Sequence, residues 1–165
     1  MSNLFKEMNF MPGATLEELK DKAVEHAIEI LAAISNVPNM TDYAMVFVLC
    51  TGIRIGVLGD GVINDKERTI ITGFFDRICS DTPIENLMEL IDVPLDERSY
   101  KIVDDLFDIS TTLGIQFCNL IMCFAYADGV FEDEVSQELS DIVTRNASVY
   151  VGTPEDYLNS LDEDE

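Results

Sequence analysis

The chain is poor in the side chains on which many active sites and nucleic-acid surfaces depend. Its 165 residues contain no Trp, one His and ten Lys or Arg against 32 Asp or Glu, which gives a formal net charge of −22. A surface of this sign repels phosphate backbones and anionic lipid headgroups, so we expect no direct binding of nucleic acid. The same charge concentrates divalent cations, attracts basic protein surfaces and keeps an apolar chain in solution.

The chain also lacks closely spaced cysteine pairs and apolar runs long enough to span a membrane. The four thiols lie in apolar stretches without a Cys-x-x-Cys pair and are predicted to be buried and reduced: Cys50, Cys79, Cys118 and Cys123. The stretch 113–127 is uncharged and the stretch 43–58 contains only one charge, Arg54. Both are shorter than the roughly 20 residues of a membrane-spanning helix. The first residues also lack the pattern of a signal peptide, so we expect a cytoplasmic protein without a transmembrane segment.

Catalytic constellations are equally sparse. The single histidine, His26, lies among apolar residues of the first predicted helix, and no cysteine has a basic neighbour in sequence that would lower its pKa. The glycine-rich stretch 52–61 is not followed by the Gly-Lys-Ser/Thr of a phosphate-binding loop. We therefore expect a protein that is not an enzyme.

What the sequence does contain is helical periodicity. Thr15-Leu-Glu-Glu18 forms a capping box that starts the first helix, and Thr82-Pro83 is expected to begin a short one. A long helical region is expected from Asp96 to Ala127, with a break near Gly114. The fold class is all-α, a compact bundle of six to eight helices. It follows an N-terminal segment, 1–14, fills a single domain, 15–158, and precedes an acidic tail, 159–165.

One phrase occurs twice. Asp60-Gly-Val-Ile-Asn-Asp65 returns 68 positions later as Asp128-Gly-Val-Phe-Glu-Asp133, each time after an apolar run and before an amphipathic helix. Asp beside a Gly that can adopt positive φ is typical of a tight turn. The repeat predicts an internal duplication with halves around 41–80 and 109–146, which brings two acidic corners into one bundle.

The corners suggest a cation site made of Asp60, Glu67 and Asp128. Glu67 shares a helix face with apolar residues and needs a partner there, which a divalent cation with oxygen ligands would supply. Calcium is favoured because sulfur and imidazole ligands are missing. Val135 stands where a second Glu would be, so the site is asymmetric, with Glu132 or Glu134 as additional candidates.

Two other interpretations of the same residues stay open. Asn64-Asp-Lys-Glu67 is also a capping box, and Asp60 can form a local turn into Gly61 without any cation. Arg54 can instead supply the positive charge at the corner. An EF-hand is excluded, because the first two ligand positions of its loop would fall on Gly56 and Leu58 in the first copy.

Residues 49–67 and 117–139, each an apolar helix followed by Asp-Gly and an acidic helix start, resemble the tellurite-resistance TerB-like family. The resemblance extends to about residues 41–146. It implies an all-helical duplicated domain with acidic residues that bind divalent metal, in bacterial stress-response and membrane-linked assemblies.

Two functions follow as predictions. The first is a non-enzymatic, metal-binding or metal-sensing interaction module. The second is an acidic scaffold, or a mimic of nucleic-acid charge, that binds a basic protein partner. The placement of charge separates them: a scaffold arrays carboxylates along an exposed face, whereas a metal module gathers a few at the corners.

Overall fold

The structure is a computed structural model that describes residues 15–57, 63–92, 96–127, 141–142 and 146. Within these residues the chain forms six helices and no strand, which confirms the all-α class at the low end of the expected helix number. The helices are α1 (Leu16–Ile34), α2 (Asp42–Val57), α3 (Asp65–Ile78), α4 (Ile84–Ile91), α5 (Glu97–Ile109) and α6 (Thr111–Ala125). The helices expected over 133–145 and after Thr153 lie largely or wholly outside the described residues.

Local side-chain chemistry explains where the helices begin. Thr15 and Glu18 form the predicted capping box of α1, and Asn64 and Glu67 form the same box at α3. Each box satisfies two backbone N–H groups that the first helical turn leaves without partners. The short α4 begins differently from the expectation, because Pro83 rather than Thr82 is its N-cap residue and no side chain caps it.

The boundary between α5 and α6 lies at Ser110 and not at Gly114, where the sequence suggested a break. Ser110 has extended backbone, and its hydroxyl accepts a hydrogen bond from the Leu113 N–H. Gly114 continues the helix and serves packing instead. A Cβ atom there would lie 2.3 Å from the Phe107 ring, so only glycine lets α6 fold back closely onto α5.

Helix α6 lies at the centre of the bundle. It packs against α1, α2, α3 and α5, and its C-terminal residues Phe117–Ala125 are all buried. Helix α2 lies beside it and is buried from Val48 to Val57. The later parts of the two apolar runs are therefore core segments that are buried on every side, and this burial stabilises the fold.

Two glycines let α2 and α6 approach each other at backbone distance. A Cβ atom on Gly52 would lie 2.9 Å from the Phe117 ring, and one on Gly56 would lie 2.8 Å from the Ile121 carbonyl oxygen and 3.1 Å from the Ala125 nitrogen. Later residues of α2 thus meet later residues of α6. The two helices run in the same direction, and their C-terminal ends lie side by side.

Candidate functional site

The first acidic corner is described only from Ile63 onward. Asp60 and Asp128, two of the three predicted cation ligands, lie outside the described residues, and so do Glu132 and Glu134. The third, Glu67, is buried, with 5% of its surface exposed. Its Oε1 accepts a hydrogen bond of 3.0 Å from the Asn64 N–H, and its own N–H donates to Asn64 Oδ1 at 2.9 Å.

Glu67 therefore forms the capping box, and it does so in a buried position. A cap needs only the carboxylate oxygens near the helix start, and Glu18 makes the same box while exposed. Among the described residues no group of three or more His, Cys, Asp or Glu side chains could hold a metal ion. The three-residue cation site stays a prediction, because two of its members are not described.

Arg54 lies against the start of α5. It is 2% exposed, and its Nη2 donates a hydrogen bond of 3.2 Å to Ser99 Oγ. Burial lowers the pKa of the guanidinium, and the nearby Asp96 carboxylate opposes that shift. Asp96 accepts hydrogen bonds from the backbone N–H groups of Arg98 and Ser99 at 2.9 and 3.1 Å, which lower its pKa. Asp96 is thus one acidic neighbour of Arg54. The interpretation that Arg54 supplies the positive charge at the first acidic corner stays a prediction, because Asp60 lies outside the described residues. A cavity of about 380 Å³ adjoins this group.

A surface groove runs along the first two turns of α2. One cavity of about 350 Å³ lies between α2 and α4, and a second of about 300 Å³ lies where α2 meets the C-terminal end of α3. They share Asp42, Val46 and Thr82 in their linings. The floor is apolar, the rim carries Asp42 and Asp81, and Tyr43 stands at the edge with 66% of its surface exposed.

The outer face of α4 carries only acidic charge. Glu85, Glu89 and Asp92 are exposed at spacings of four and three residues, which aligns them as one stripe. No described ion pair involves this stripe, and the last turn of α4 has no basic residue. Like charges at i and i+4 destabilise a helix, and so does negative charge at its C-terminal end.

His26 belongs to a polar network that the sequence did not reveal. Its Nδ1 lies 2.5 Å from Gln116 Oε1, and Gln116 Nε2 donates to the Glu29 carboxylate. Because a carboxylate only accepts, the Gln116 amide is oriented with its oxygen toward the ring, so the neutral ring carries its proton on Nδ1. Burial lowers the pKa of His26, the main cause of its shift.

The prediction that all four thiols are buried is confirmed for three of them and is wrong for Cys79. All four cysteines are free, and Cys50, Cys118 and Cys123 are buried. Burial raises the pKa of each of these three to about 12, which suppresses the nucleophilic thiolate. Cys79 is half-buried and lines the second cavity of the groove.

The groove and the histidine network both depend on contacts that sequence spacing does not contain. Gln116 lies 90 positions from His26, and the groove brings Asp42 together with Asp81. The sequence contains one signal for the groove, because Tyr43 is an aromatic residue at the start of an apolar run. An aromatic residue at an exposed helix start is a candidate contact residue.

No helix among the described residues is long and apolar enough to cross a membrane. Comparison of the chain with protein-family models, with curated proteins and with solved structures found no match. The resemblance to the TerB-like family therefore stays a prediction from its motif.

Proposed function

We propose that this chain is a non-enzymatic, cytoplasmic interaction module whose acidic surface binds a basic protein partner. The observation that carries the proposal is the stripe of Glu85, Glu89 and Asp92 on α4. An exposed array of carboxylates along one face is the arrangement that distinguishes an acidic binding protein from a compact metal site.

The treatment of charge elsewhere supports this assignment. Five described basic side chains on other helices lie within 4 Å of acidic side chains, mostly neighbours on their own helix, as Lys20 does with Glu17 and Lys101 with Asp105. The stripe has no such neighbour among the described residues. A cationic partner would relieve the repulsion within the stripe and would be drawn to it over long range.

A titration with simple peptides tests the proposal. A peptide of alternating Lys and Gly, with no apolar face, should bind in low salt and lose affinity as added salt screens the contact. A Glu-Gly peptide of equal length should not bind. The double variant Glu85→Gln/Glu89→Gln should bind the Lys-Gly peptide more weakly than Asp76→Asn/Asp108→Asn, which removes two exposed carboxylates outside the stripe. Failure of the Lys-Gly peptide to bind in low salt would contradict the proposal.

A divalent cation site of TerB-like type at Asp60, Glu67 and Asp128 is the second candidate. The contact between α2 and α6 favours it, because the parallel helices end side by side and each leads directly into one Asp-Gly corner. This arrangement also supports the internal duplication, since the glycines of α2 meet residues near their own counterparts 68 positions later. A role in a stress response, taken from the family resemblance, is part of the same proposal.

Calorimetry with calcium, magnesium and manganese tests the second candidate on the wild type and on Asp60→Ala. We expect saturable binding that is lost in the variant, with calcium favoured over the other ions. Glu67→Gln keeps an oxygen that can cap Asn64 and should lose the calcium response of thermal melting. Glu18→Gln is the matched control, because it alters the same capping position on α1. Equal calcium responses in both variants would mean that Glu67 only caps the helix and does not bind calcium.

A further inference from the structure

We infer that the groove beside α2 binds the apolar face of a basic amphipathic helix from a partner protein. This inference rests on the proposed function and deepens it, because it names the class of partner and the surface that receives it. The acidic stripe alone would attract any cation. The groove adds a shape and an apolar floor, which select for a helix with one apolar face and basic flanks.

The groove has the form that such a helix needs. The cavity between α2 and α4 has Val46, Leu87 and Leu90 in its lining. The second cavity has Leu31, Met45 and Ile78. The two share residues of α2, so they form neighbouring depressions along one line. Each is large enough for an apolar side chain of leucine size, and anchors one or two turns apart on a single helix can fill neighbouring depressions.

Charge complementarity identifies the partner as basic. Asp42 lies at both cavities, Asp81 and Thr82 extend the rim, and no described Lys or Arg lines either one. A helix with Lys or Arg on both flanks of its apolar face would place these cations next to the rim.

A second copy of this chain is the less suitable occupant. It would bring another molecule of net charge −22 against an acidic rim, and like charges facing each other oppose association. Tyr43 supplies the anchor for a basic partner instead. It is 66% exposed, its ring stacks on Phe47 at 6.4 Å between centroids, and tyrosine is enriched among residues that dominate binding.

The probe is a synthetic peptide of Leu and Lys, about 18 residues long, with Leu at helical i, i+3, i+4 and i+7 positions. Its control has the same composition in a scrambled order without an apolar face. Fluorescence anisotropy on the full chain, in low salt and in a salt concentration that screens surface charge, measures both affinities. We expect the amphipathic peptide to bind more tightly and to keep more of its affinity in high salt, since apolar burial is not screened.

Paired variants locate the site. Tyr43→Ala should weaken binding of the amphipathic peptide about tenfold, as expected for loss of an aromatic anchor. Ile28→Ala removes a side chain of similar exposure outside both cavities and should have no effect.

The charge of the rim is tested by a second pair of variants. Asp42→Lys/Asp81→Lys should weaken binding more than Glu97→Lys/Asp108→Lys. Glu97 is the matched residue because, like Asp42, it is the first residue of its helix. Circular dichroism checks that each variant is folded.

Cys79 reports directly on occupancy of the groove. It is the half-buried thiol among four, so a disulfide reagent should modify it first. Saturation with the amphipathic peptide should slow that modification, whereas the scrambled peptide should slow it less.

The outcomes separate this inference from the proposed function. If both peptides bind equally and the groove variants behave like their controls, the acidic surface binds cations but the groove does not select a helix. If neither peptide binds in low salt, the proposed function fails as well. If the free protein is a dimer whose dissociation exposes Cys79, a second copy occupies the groove and the inference is wrong.

Discussion

The α2–α6 contact and the outer faces of α3 and α4 are built under opposite constraints. At the contact, Gly56 lies so near the Ile121 carbonyl oxygen that an added methyl group has no room. On α3, Gly73 is half-buried, and the nearest obstacle to a methyl group there is the flexible side chain of Lys20 on α1, at 2.9 Å. At the inner contact the available volume limits which side chains fit, whereas on the outer faces charge is the stronger constraint.

This difference shows which residues can serve binding even though they lower the stability of the fold. Close packing leaves little freedom at the inner contact, because an added methylene group is felt in a dense interior. Within the acidic stripe, Glu89 and Asp92 are not required by packing, and both work against the stability of α4, because Glu89 repels Glu85 and Asp92 lies at the C-terminal end of the helix. Residues of that kind are the ones for which binding is the better explanation.

The largest expected effect is that of Gly56→Ala. The new Cβ atom meets backbone atoms of α6, which cannot rotate away, so the helices must separate. Overpacking typically costs about 1–3 kcal/mol and occasionally more, and a clash with backbone atoms belongs at the upper end of that range. Improved helix propensity, about 1 kcal/mol, offsets only part of this cost. We expect a clear net loss in the free energy of unfolding, measured by urea denaturation.

Gly73→Ala is the matched control on the outer face. Lys20 can move aside, so the gain in helix propensity should dominate and raise stability by about 0.5–1 kcal/mol. If both substitutions change the midpoint in the same direction, the inner and outer glycines do not differ in the way their contacts indicate.

The two capping boxes give the second comparison between inside and outside. Glu67→Ala removes the acceptor of the Asn64 N–H and leaves space in a buried position, which should cost about 1–2 kcal/mol. Glu18→Ala removes the same bond at an exposed helix start and should cost about 0.5 kcal/mol, since water replaces the carboxylate. Thermal melting in the presence of a chelator measures both, so no bound cation contributes. Equal losses would mean that burial adds nothing to the cap.

Much of the fold was accessible from sequence because helix starts are local events. Thr15 with Glu18 and Asn64 with Glu67 were predicted from four-residue patterns, and both boxes are present in the structure. The predicted break at Gly114 was wrong for an instructive reason. Glycine signals either a turn or a close approach, and only the position of Phe107 shows that it is the second here.

The site was less accessible, because it depends on distant contacts. Helical periodicity predicts which face of α2 is buried, yet it does not say that the exposed start of α2 lies beside Asp81. Likewise, the composition around His26 indicates an apolar flank, whereas its hydrogen-bond partner comes from α6. Neither contact has a signature within the window that sequence patterns cover.

A smaller effect is expected from the inner histidine. Burial is the main cause that holds the pKa of His26 below its ordinary value of 6.5, and Lys22 lowers it further. The hydrogen bond with Gln116 and the charges of Glu29 and Glu25 raise the pKa but do not cancel the effect of burial. The unfolded chain therefore takes up the proton first. The contribution of His26 to stability should be complete above pH 6.5, fall as the pH drops below 6.5, and level off below the folded-state pKa.

Urea denaturation at several pH values, on the wild type and on His26→Gln, isolates this contribution. The difference between the two proteins should change in favour of the variant as the pH falls through this range, while the titration of carboxylates affects both alike. A difference that is constant with pH would show that His26 has the same pKa in both states.

The smallest effect on stability is expected on the outer face, from Glu89→Lys. It places a Lys four residues after Glu85, the favourable order for an ion pair on a helix, and it puts positive charge near the C-terminal end of α4. The free energy of unfolding should rise by about 0.5 kcal/mol in low salt, and the gain should shrink as salt is added.

The same substitution breaks the acidic stripe and should weaken binding of the Lys-Gly peptide. Denaturation and peptide titration on one protein sample measure the two effects together. A variant that gains stability and binds the peptide as well as the wild type would mean that the stripe is not the binding surface, whereas opposite changes are expected of a surface whose charge serves a partner at a cost to its own helix.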